Sequence, residues 1–296
     1  MKDTQSRLFF IVNPGSGNHT TNWKQEIEQH YQNSNYAIFI YELTKDCVLQ
    51  QIKDEIKKFD PATVVAAGGD GTVKLAAEAI LGQSINLAIL PAGSANGMAR
   101  ELDIPLEPAK ALAIITEGKK RSIHLMKVNG ELCIHLADAG FNASLVKKFE
   151  EGSLRGQWAY VKAAWSVLWS HKKLSVEIVA EGKKQQFQAV MIVLANATKY
   201  GNGIVINPEG SLTDDLFEIV IVKKISLIEI FKMRFAKTNF NKNKTEVLQV
   251  SAATIQSKRS FHFQVDGEYR GKEKKITAAL LPQKIEVMVN DQISPN

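Results

Sequence analysis

Gly68-Gly69-Asp70-Gly71-Thr72 combines the residue types that a phosphate site needs. It follows the β-branched run Thr63-Val64-Val65 and precedes a helical stretch, Val73 to Leu81. Three glycines in four positions let the backbone turn sharply and approach a ligand without Cβ clashes. N–H groups at the mouth of the following helix suit a phosphate. An Asp facing phosphate directly would repel it, so Asp70 belongs beside a metal ion or an incoming nucleophile. The plainer alternative is a tight strand-to-helix turn with Asp70 as a cap.

Two further loops have the same design. Phe9-Phe10-Ile11-Val12 runs into Asn13-Pro14-Gly15-Ser16-Gly17, and Leu87-Ala88-Ile89-Leu90 runs into Pro91-Ala92-Gly93-Ser94-Ala95-Asn96-Gly97-Met98-Ala99-Arg100. Each is an apolar strand ending in a Gly/Ser/Asn loop with a helix after it. Loops at the carboxyl ends of parallel strands gather on one edge, where ligands bind. Three at successive strand ends would form one nucleotide pocket.

The elements that must position these loops alternate. Strands are predicted at 8–12, 37–41, 63–67 and 87–90. Helices are predicted at 21–32, 46–59, 73–81 and 108–116. Val48, Ile52, Ile56 and Phe59 recur at helical spacing with Lys and Glu between them. Such alternation implies a parallel sheet with right-handed crossovers.

From about Arg121 the texture changes. Residues 123–128 and 131–136 read as a hairpin across Asn129-Gly130. Residues 174–180 and 186–195 read as another around Glu181-Gly182-Lys183-Lys184. Segments 216–222, 260–265, 276–281 and 284–289 add strands, so this half is expected to be a mostly antiparallel β-sandwich. The expected domains are 1–120, α/β and nucleotide-binding, and 121–296, β-rich and substrate-binding. The nucleotide is expected in the cleft between them.

Two helical segments interrupt the second half. Residues 158–169 carry Trp158, Trp165 and Trp169 on one face, and 225–236 mix Phe231, Met233 and Phe235 with Lys232 and Arg234. Core packing is the first reading of both stripes. Contact with a water–lipid interface is the second.

The three loops resemble those of the diacylglycerol-kinase catalytic family, which includes sphingosine and ceramide kinases and bacterial lipid kinases. Asn13-Pro14 with Gly15 and Gly17 is similar to its first loop, Gly68 to Thr72 to its nucleotide loop, and Pro91 to Arg100 to its third. Asn207-Pro208-Glu209-Gly210-Ser211-Leu212-Thr213-Asp214 resembles the segment carrying a metal-linked Asp. Val265-Asp266-Gly267-Glu268 resembles the late catalytic segment; by itself, Asp266-Gly267 reads as a hairpin turn. The motifs cover nearly the whole chain in the family's order. Two positions depart from it: Asp214-Asp215 where the family usually has Asp-Gly, and Gly97 where it often has Asp. The wording Pro-Ala-Gly-Ser with a following Asn is closer to sphingosine kinases, which leaves the acceptor lipid open.

The resemblance implies an ATP- and magnesium-dependent lipid kinase with an α/β nucleotide-binding domain like that of NAD and diacylglycerol kinases. The acceptor would be the hydroxyl of a diacylglycerol-like or sphingoid lipid. Asn13, Pro14, Gly15, Gly17, Gly68, Gly69, Asp70, Gly71, Thr72, Gly93, Ser94 and Asn96 would surround the nucleotide. Asp214, alone or with Asp215, would hold Mg2+. Glu268, Asp266 and Asp70 are the candidates for the proton-accepting carboxylate. Glu268 is preferred as base, with Asp70 organising water and metal.

Composition agrees with an enzyme of this kind. The 296 residues are 45% hydrophobic and 23% charged, ordinary for a globular protein and enough for two cores. No apolar run approaches the ~20 residues that span a bilayer. With Cys47 and Cys133 alone, no disulfide scaffold is expected, and the cytoplasm is the expected compartment. The net charge of +6 suits nucleotide phosphates or anionic headgroups, and hence peripheral contact with the inner membrane surface. An ordinary solvated lysine excess explains it equally well. Zinc-finger spacing and RNA-binding aromatic motifs are absent, which disfavours nucleic acid. A homo-oligomer stays open.

Other chemistries fit less well. Gly-x4-Gly-Lys-Ser/Thr, His-Glu-x-x-His and Gly-x-Ser-x-Gly are missing, and the Gly15-x-Gly17 start meets Thr20 where a dinucleotide fingerprint needs Gly. An NAD kinase shares the Gly-Gly-Asp-Gly loop. That family usually has Asn-Glu where this chain has Ala195-Asn196-Ala197. A nucleotide- or lipid-binding module without catalysis is the alternative from another class.

Overall fold

The computed structural model describes residues 6–17, 21–140, 173–200, 204–224, 241 and 243–290. The two helical segments at 158–169 and 225–236 lie outside the described residues. The chain divides into two compact units. One comprises the residues up to His124 with those from Pro282 onward, and the other runs from Leu125 to Leu281. The expected boundary at 120/121 thus falls at 124/125. The C-terminal residues, expected in the second domain, return to the first.

The first unit opens β1 (Arg7–Val12), α1 (Trp23–Tyr31), β2 (Ala37–Glu42), α2 (Leu49–Phe59), β3 (Thr63–Gly68), α3 (Asp70–Ile80), β4 (Asn86–Pro91), α4 (Gly97–Glu101) and α5 (Pro108–Glu117). β1 lies between β2 and β3, and β4 follows β3, all parallel. β3 is buried along its whole length and β1 from Leu8 to Val12, so both read as continuous apolar runs. Phe9 stacks on Phe39 at 5.1 Å and Phe59 leans on both rings. α2 buries Ile52 and Ile56, ends in Lys57 and Lys58, and stops at Asp60, whose φ is 52°. α5 begins on Pro108, whose missing N–H costs nothing at a first helical position.

The chain then forms β5 (Lys119–Val128), β6 (Glu131–Cys133), β7 (Leu136–Gly140), β8 (Leu174–Ala180), β9 (Lys183–Ala189), β10 (Met191–Ala195), β11 (Lys199–Tyr200), β12 (Ile204–Val205), β13 (Phe217–Val222), β14 (Thr245–Val250), β15 (Ala252–Val265) and β16 (Glu268–Val289). Pairing within the second unit is antiparallel. β14, β13, β10, β7 and β15 lie in that order, and β8 pairs with both β15 and β9. Two-residue turns at Asn129-Gly130, Glu181-Gly182 and Asp266-Gly267 have positive φ at both positions, as primed hairpin turns require. Phe217, Phe261, Phe263, Ile219, Ile221 and Ile276 pack in its core.

Four expectations need correction. The strand predicted at 131–136 is two strands, 131–133 and 136–140. The strand predicted at 186–195 is also two, broken at Val190: β9 closes the hairpin with β8, while β10 pairs with β7 and β13. β14 was not predicted. The segments 276–281 and 284–289 are parts of one long strand, β16, which starts at Glu268. Its last residues lie in the first unit, where Val287 pairs in parallel with Leu87 of β4.

Candidate active site

Because β1, β3 and β4 are parallel and adjacent, the loops after them share one edge of the first unit's sheet. They are interlocked. A Cβ on Gly17, whose φ is +68°, would stand 2.3 Å from the Ala92 carbonyl oxygen. A Cβ on Gly93 would stand 2.4 Å from the Gly69 Cα. Loops one and two therefore each reach loop three through positions that tolerate no side chain. The Asn13 N–H donates to the Ala67 carbonyl at 2.9 Å, its Oδ1 accepts from Gly15 N–H at 3.0 Å, and its Nδ2 reaches Thr72 Oγ1 at 3.4 Å.

Asp70 makes the strongest tie. One carboxylate oxygen accepts the Gly97 N–H at 2.8 Å and the other the Met98 N–H at 3.0 Å. These are the first two N–H groups of α4, which no helical carbonyl can satisfy. Charge-assisted bonds of this kind contribute about 1.5–3 kcal/mol each. Asp70, expected to organise water and metal, also clasps two loops together. Asn96 closes its own loop: its Oδ1 accepts from Gly93 N–H and its Nδ2 donates to the Gly93 carbonyl, both at 2.8 Å. Its φ of 50° aims α4. Pro14, Gly15, Ser94 and Gly71 are exposed at the loop tips, while Thr72 is buried. In the first turn of α3, the Asp70 and Gly71 N–H groups precede the first intrahelical bond, which Thr72 and Val73 make to Gly69.

In the second unit Asp266 plays a matching part. Its Oδ2 accepts the Ile134 N–H at 3.2 Å, and its Oδ1 accepts His135 N–H at 3.0 Å and Leu136 N–H at 3.3 Å. These three successive amides, with Cys133 Sγ at 3.5 Å from Oδ1, tie Asp266 to the chain before β7 and brace the turn beside Glu268. Gln264 holds the same turn from below. Its Oε1 accepts the Gly267 N–H at 2.7 Å and its Nε2 donates to the buried carboxylate of Asp138. Glu268 itself is exposed, and Arg270 Nη2 binds it. Arg270 is held by Glu131 through two bonds of 2.6 and 2.7 Å. The bond to Glu131, and after it the one to Glu268, keeps the guanidinium firmly protonated.

The segment from Asn207 to Asp215 folds over a carboxylate that sequence reasoning missed. Glu218 on β13 is fully buried; Asn207 Nδ2 donates to it at 2.5 Å and Gln249 Nε2 at 3.1 Å. Burial pushes its pKa up, the two amides pull it down, and Asp214 and Glu209 push it up further. Its one signal in the sequence was a lone acid in the apolar run 217–222. Gly210 packs against Asn207, with a notional Cβ 2.1 Å from Nδ2. Asp214 Oδ1 accepts the Leu216 N–H at 3.3 Å, closing an Asx turn. Asp215, where the family usually has glycine, is not among the residues with positive φ, so the turn does not require glycine there. No group of three His, Cys, Asp or Glu side chains suited to a metal occurs among the described residues. Asp214 and Asp215 would offer a metal one or two carboxylate oxygens from the described residues. That fits Mg2+, which keeps several waters and takes oxygens from phosphates.

A parallel α/β unit with interlocked Gly-rich loops is thus followed by an antiparallel β unit bearing an exposed carboxylate on a braced turn. The chain matches the diacylglycerol kinase catalytic domain over residues 7–128 and the YegS C-terminal NAD kinase beta sandwich-like domain over 136–289. It belongs to the diacylglycerol kinase catalytic family, and is a phosphotransferase with an alcohol acceptor. It is 27% identical over 279 residues to a diacylglycerol kinase of Bacillus subtilis, covering 90% of each chain. It is also 27% identical over 283 residues to one of Staphylococcus aureus, covering 90% of this chain and 88% of the other. A crystal structure of a Bacillus anthracis diacylglycerol kinase superposes with TM-score 0.74 at 18% identity, over 98% of both chains. An Archaeoglobus fulgidus NAD kinase in complex with ATP superposes with TM-score 0.53 at 12% identity, over 97% and 94%. These last two likenesses are of fold.

Two outcomes test this geometry. Gly93→Ala must push loops two and three apart and should weaken Mg-ATP binding by about tenfold or more in calorimetry; unchanged affinity would contradict the interlock. Glu218 binds its proton more tightly in the native chain than unfolded. Its contribution to stability is therefore full below pH 4.5, its ordinary value, and is lost as pH rises through the raised native value. In urea titrations across that window, wild type should lose stability relative to Glu218→Gln as pH rises, whereas a constant difference would contradict the shift.

Proposed function

We propose that this kinase moves the γ-phosphoryl group of ATP to the hydroxyl of a membrane lipid, a diacylglycerol-like or sphingoid alcohol. The family and its curated relatives support a lipid kinase that uses ATP. The observation that carries the residue roles is the different fate of the three candidate carboxylates. Asp70 and Asp266 each bind backbone N–H groups that join loops, whereas Glu268 stands exposed beside the Asp266-Gly267 turn, bound by Arg270.

Backbone N–H groups of the clasped loops and of the first turn of α3 hold the triphosphate. The acceptor oxygen attacks the γ-phosphorus as the bond to the β–γ bridging oxygen breaks, and ADP leaves. The hydroxyl proton passes to a Glu268 carboxylate oxygen. Positioning and charge neutralisation supply most of the rate, with proton acceptance adding about 10²–10⁴-fold. Arg270 and Glu131 fix the Glu268 side chain. Mg2+, held through Asp214 with Asp215 beside it and through waters, would neutralise phosphate charge when bound. The acceptor is met at a membrane surface. Among the described residues no helix is long and apolar enough to cross one.

The test is transfer of labelled phosphate from Mg-ATP to diacylglycerol, monoacylglycerol, sphingosine, ceramide and, as a soluble control, NAD. A labelled lipid is expected, with Glu268→Gln lowering kcat by about 10²-fold or more while ATP affinity holds. Labelled NADP, or full activity in Glu268→Gln, would overturn the reading.

A further inference from the structure

β7 reads Leu-Ala-Asp-Ala-Gly, and its central residue, Asp138, belongs to none of the loop motifs. Asp138 is 1% exposed. It stands opposite Val193 of β10, which packs in an apolar cluster with Leu136 and Val220, and opposite Gln264 of β15. A carboxylate at such a depth is costly unless hydrogen bonds replace its lost water. One comes from the equally buried Gln264, whose Nε2 donates to Asp138 while its Oε1 accepts the Gly267 N–H at 2.7 Å. The two ends of this amide are not interchangeable. A backbone N–H only donates, so it must face Oε1; an ionised carboxylate only accepts, so it must face Nε2. Asp138 therefore selects the one orientation of Gln264 that gives the Gly267 N–H its acceptor.

We propose that Asp138 is a positioning residue for phosphoryl transfer: by orienting Gln264 it holds the Asp266-Gly267 turn, and with the turn Glu268. This role rests on the reading of Glu268 as the proton acceptor. Gly267 immediately precedes Glu268, and its φ of 85° aims the chain into β16. Gln264 and Asp138 lie opposite one another on one face of the sheet, while Val265 and Glu268, also opposite one another, alternate to the other face. Asp138 thus acts on Glu268 from the far side of the turn, through the backbone. An asparagine at 138 would offer a donor as well as an acceptor. Its amide N–H would then bind Gln264 Oε1, turning Nε2 toward the Gly267 N–H, donor against donor, and leaving that amide unpaired. A reacting group displaced by about 1 Å can cost transfer about a hundredfold.

The experiment compares Asp138→Asn, Gln264→Glu and the double variant in the full chain. It reads kcat with a lipid acceptor, KM for Mg-ATP, and hydrogen exchange at the Gly267 amide. Gln264→Glu sets two carboxylates against each other. In the double variant carboxylate and amide change places, so the Gly267 N–H again meets an acceptor. Each single variant should lower kcat by about tenfold or more with KM for Mg-ATP unchanged. Each should also speed exchange at Gly267 by about tenfold, the loss of one hydrogen bond. The Gly97 and Met98 amides, which Asp70 holds in the first unit, should exchange as in wild type. The double variant should recover kcat and Gly267 protection to within about threefold of wild type. Full kcat with wild-type exchange in Asp138→Asn would overturn the proposal. So would a double variant no better than the worse single one, because the loss would then be one of packing and not of orientation. Exchange is read without turnover. A wild type that phosphorylates no lipid would refute the proposed function, and the brace would then stand or fall by Gly267 exchange alone.

Discussion

The Asp70 carboxylate, shared between the Gly97 and Met98 amides, is the constraint on which the first unit's site depends. A Gly-rich loop alone is a floppy chain whose ordering costs conformational entropy at every residue. Here that cost is met by a charged bond to the start of α4 and by two backbone contacts, Gly17 on Ala92 and Gly69 on Gly93, that exclude any Cβ. The glycines serve close packing of loop on loop as much as access for phosphate. Gly97, the departure from the family pattern, donates one of the two amides that Asp70 takes.

The second unit solves its problem in the same way. Asp266 takes three successive amides and Gln264 takes the Gly267 amide, so a two-residue turn with φ values of 50° and 85° is held from both sides. What this rigidity presents is Glu268, fixed by Arg270, which Glu131 fixes in turn. In both units one acidic residue is used to build, and in the second its near neighbour stands exposed. The negative charges that build are matched by amide dipoles, which pay no reorganisation when a substrate arrives.

This division of labour explains what could be read from the residues and what could not. The strands 7–12, 63–68 and 86–91 were legible because burial on both faces leaves an apolar run, and the loops after them because Gly, Ser and Asn have few other uses there. The split of 131–136 was not, because it arises from Asp266, 130 residues away. β14 was missed because Thr-Glu-Val-Leu-Gln-Val is only partly buried, and the length of β16 because Lys272 to Lys275 and Pro282 read as loop and break. The motif residues Asp70, Asn96 and Asp266 were legible as important. Their roles as clasp, loop closure and scaffold depend on which amides tertiary folding brings to them, and type and spacing do not encode that. Glu218 carried one weak signal, an acid in an apolar strand, and its meaning came only from Asn207 and Gln249 beside it.

The most direct measurement is the affinity of Asp70→Ala for Mg-ATP by titration calorimetry. If Asp70 is the clasp that makes three loops one site, binding should fall by about tenfold or more, with the global fold kept. Affinity equal to wild type would contradict the account and return Asp70 to a purely chemical role.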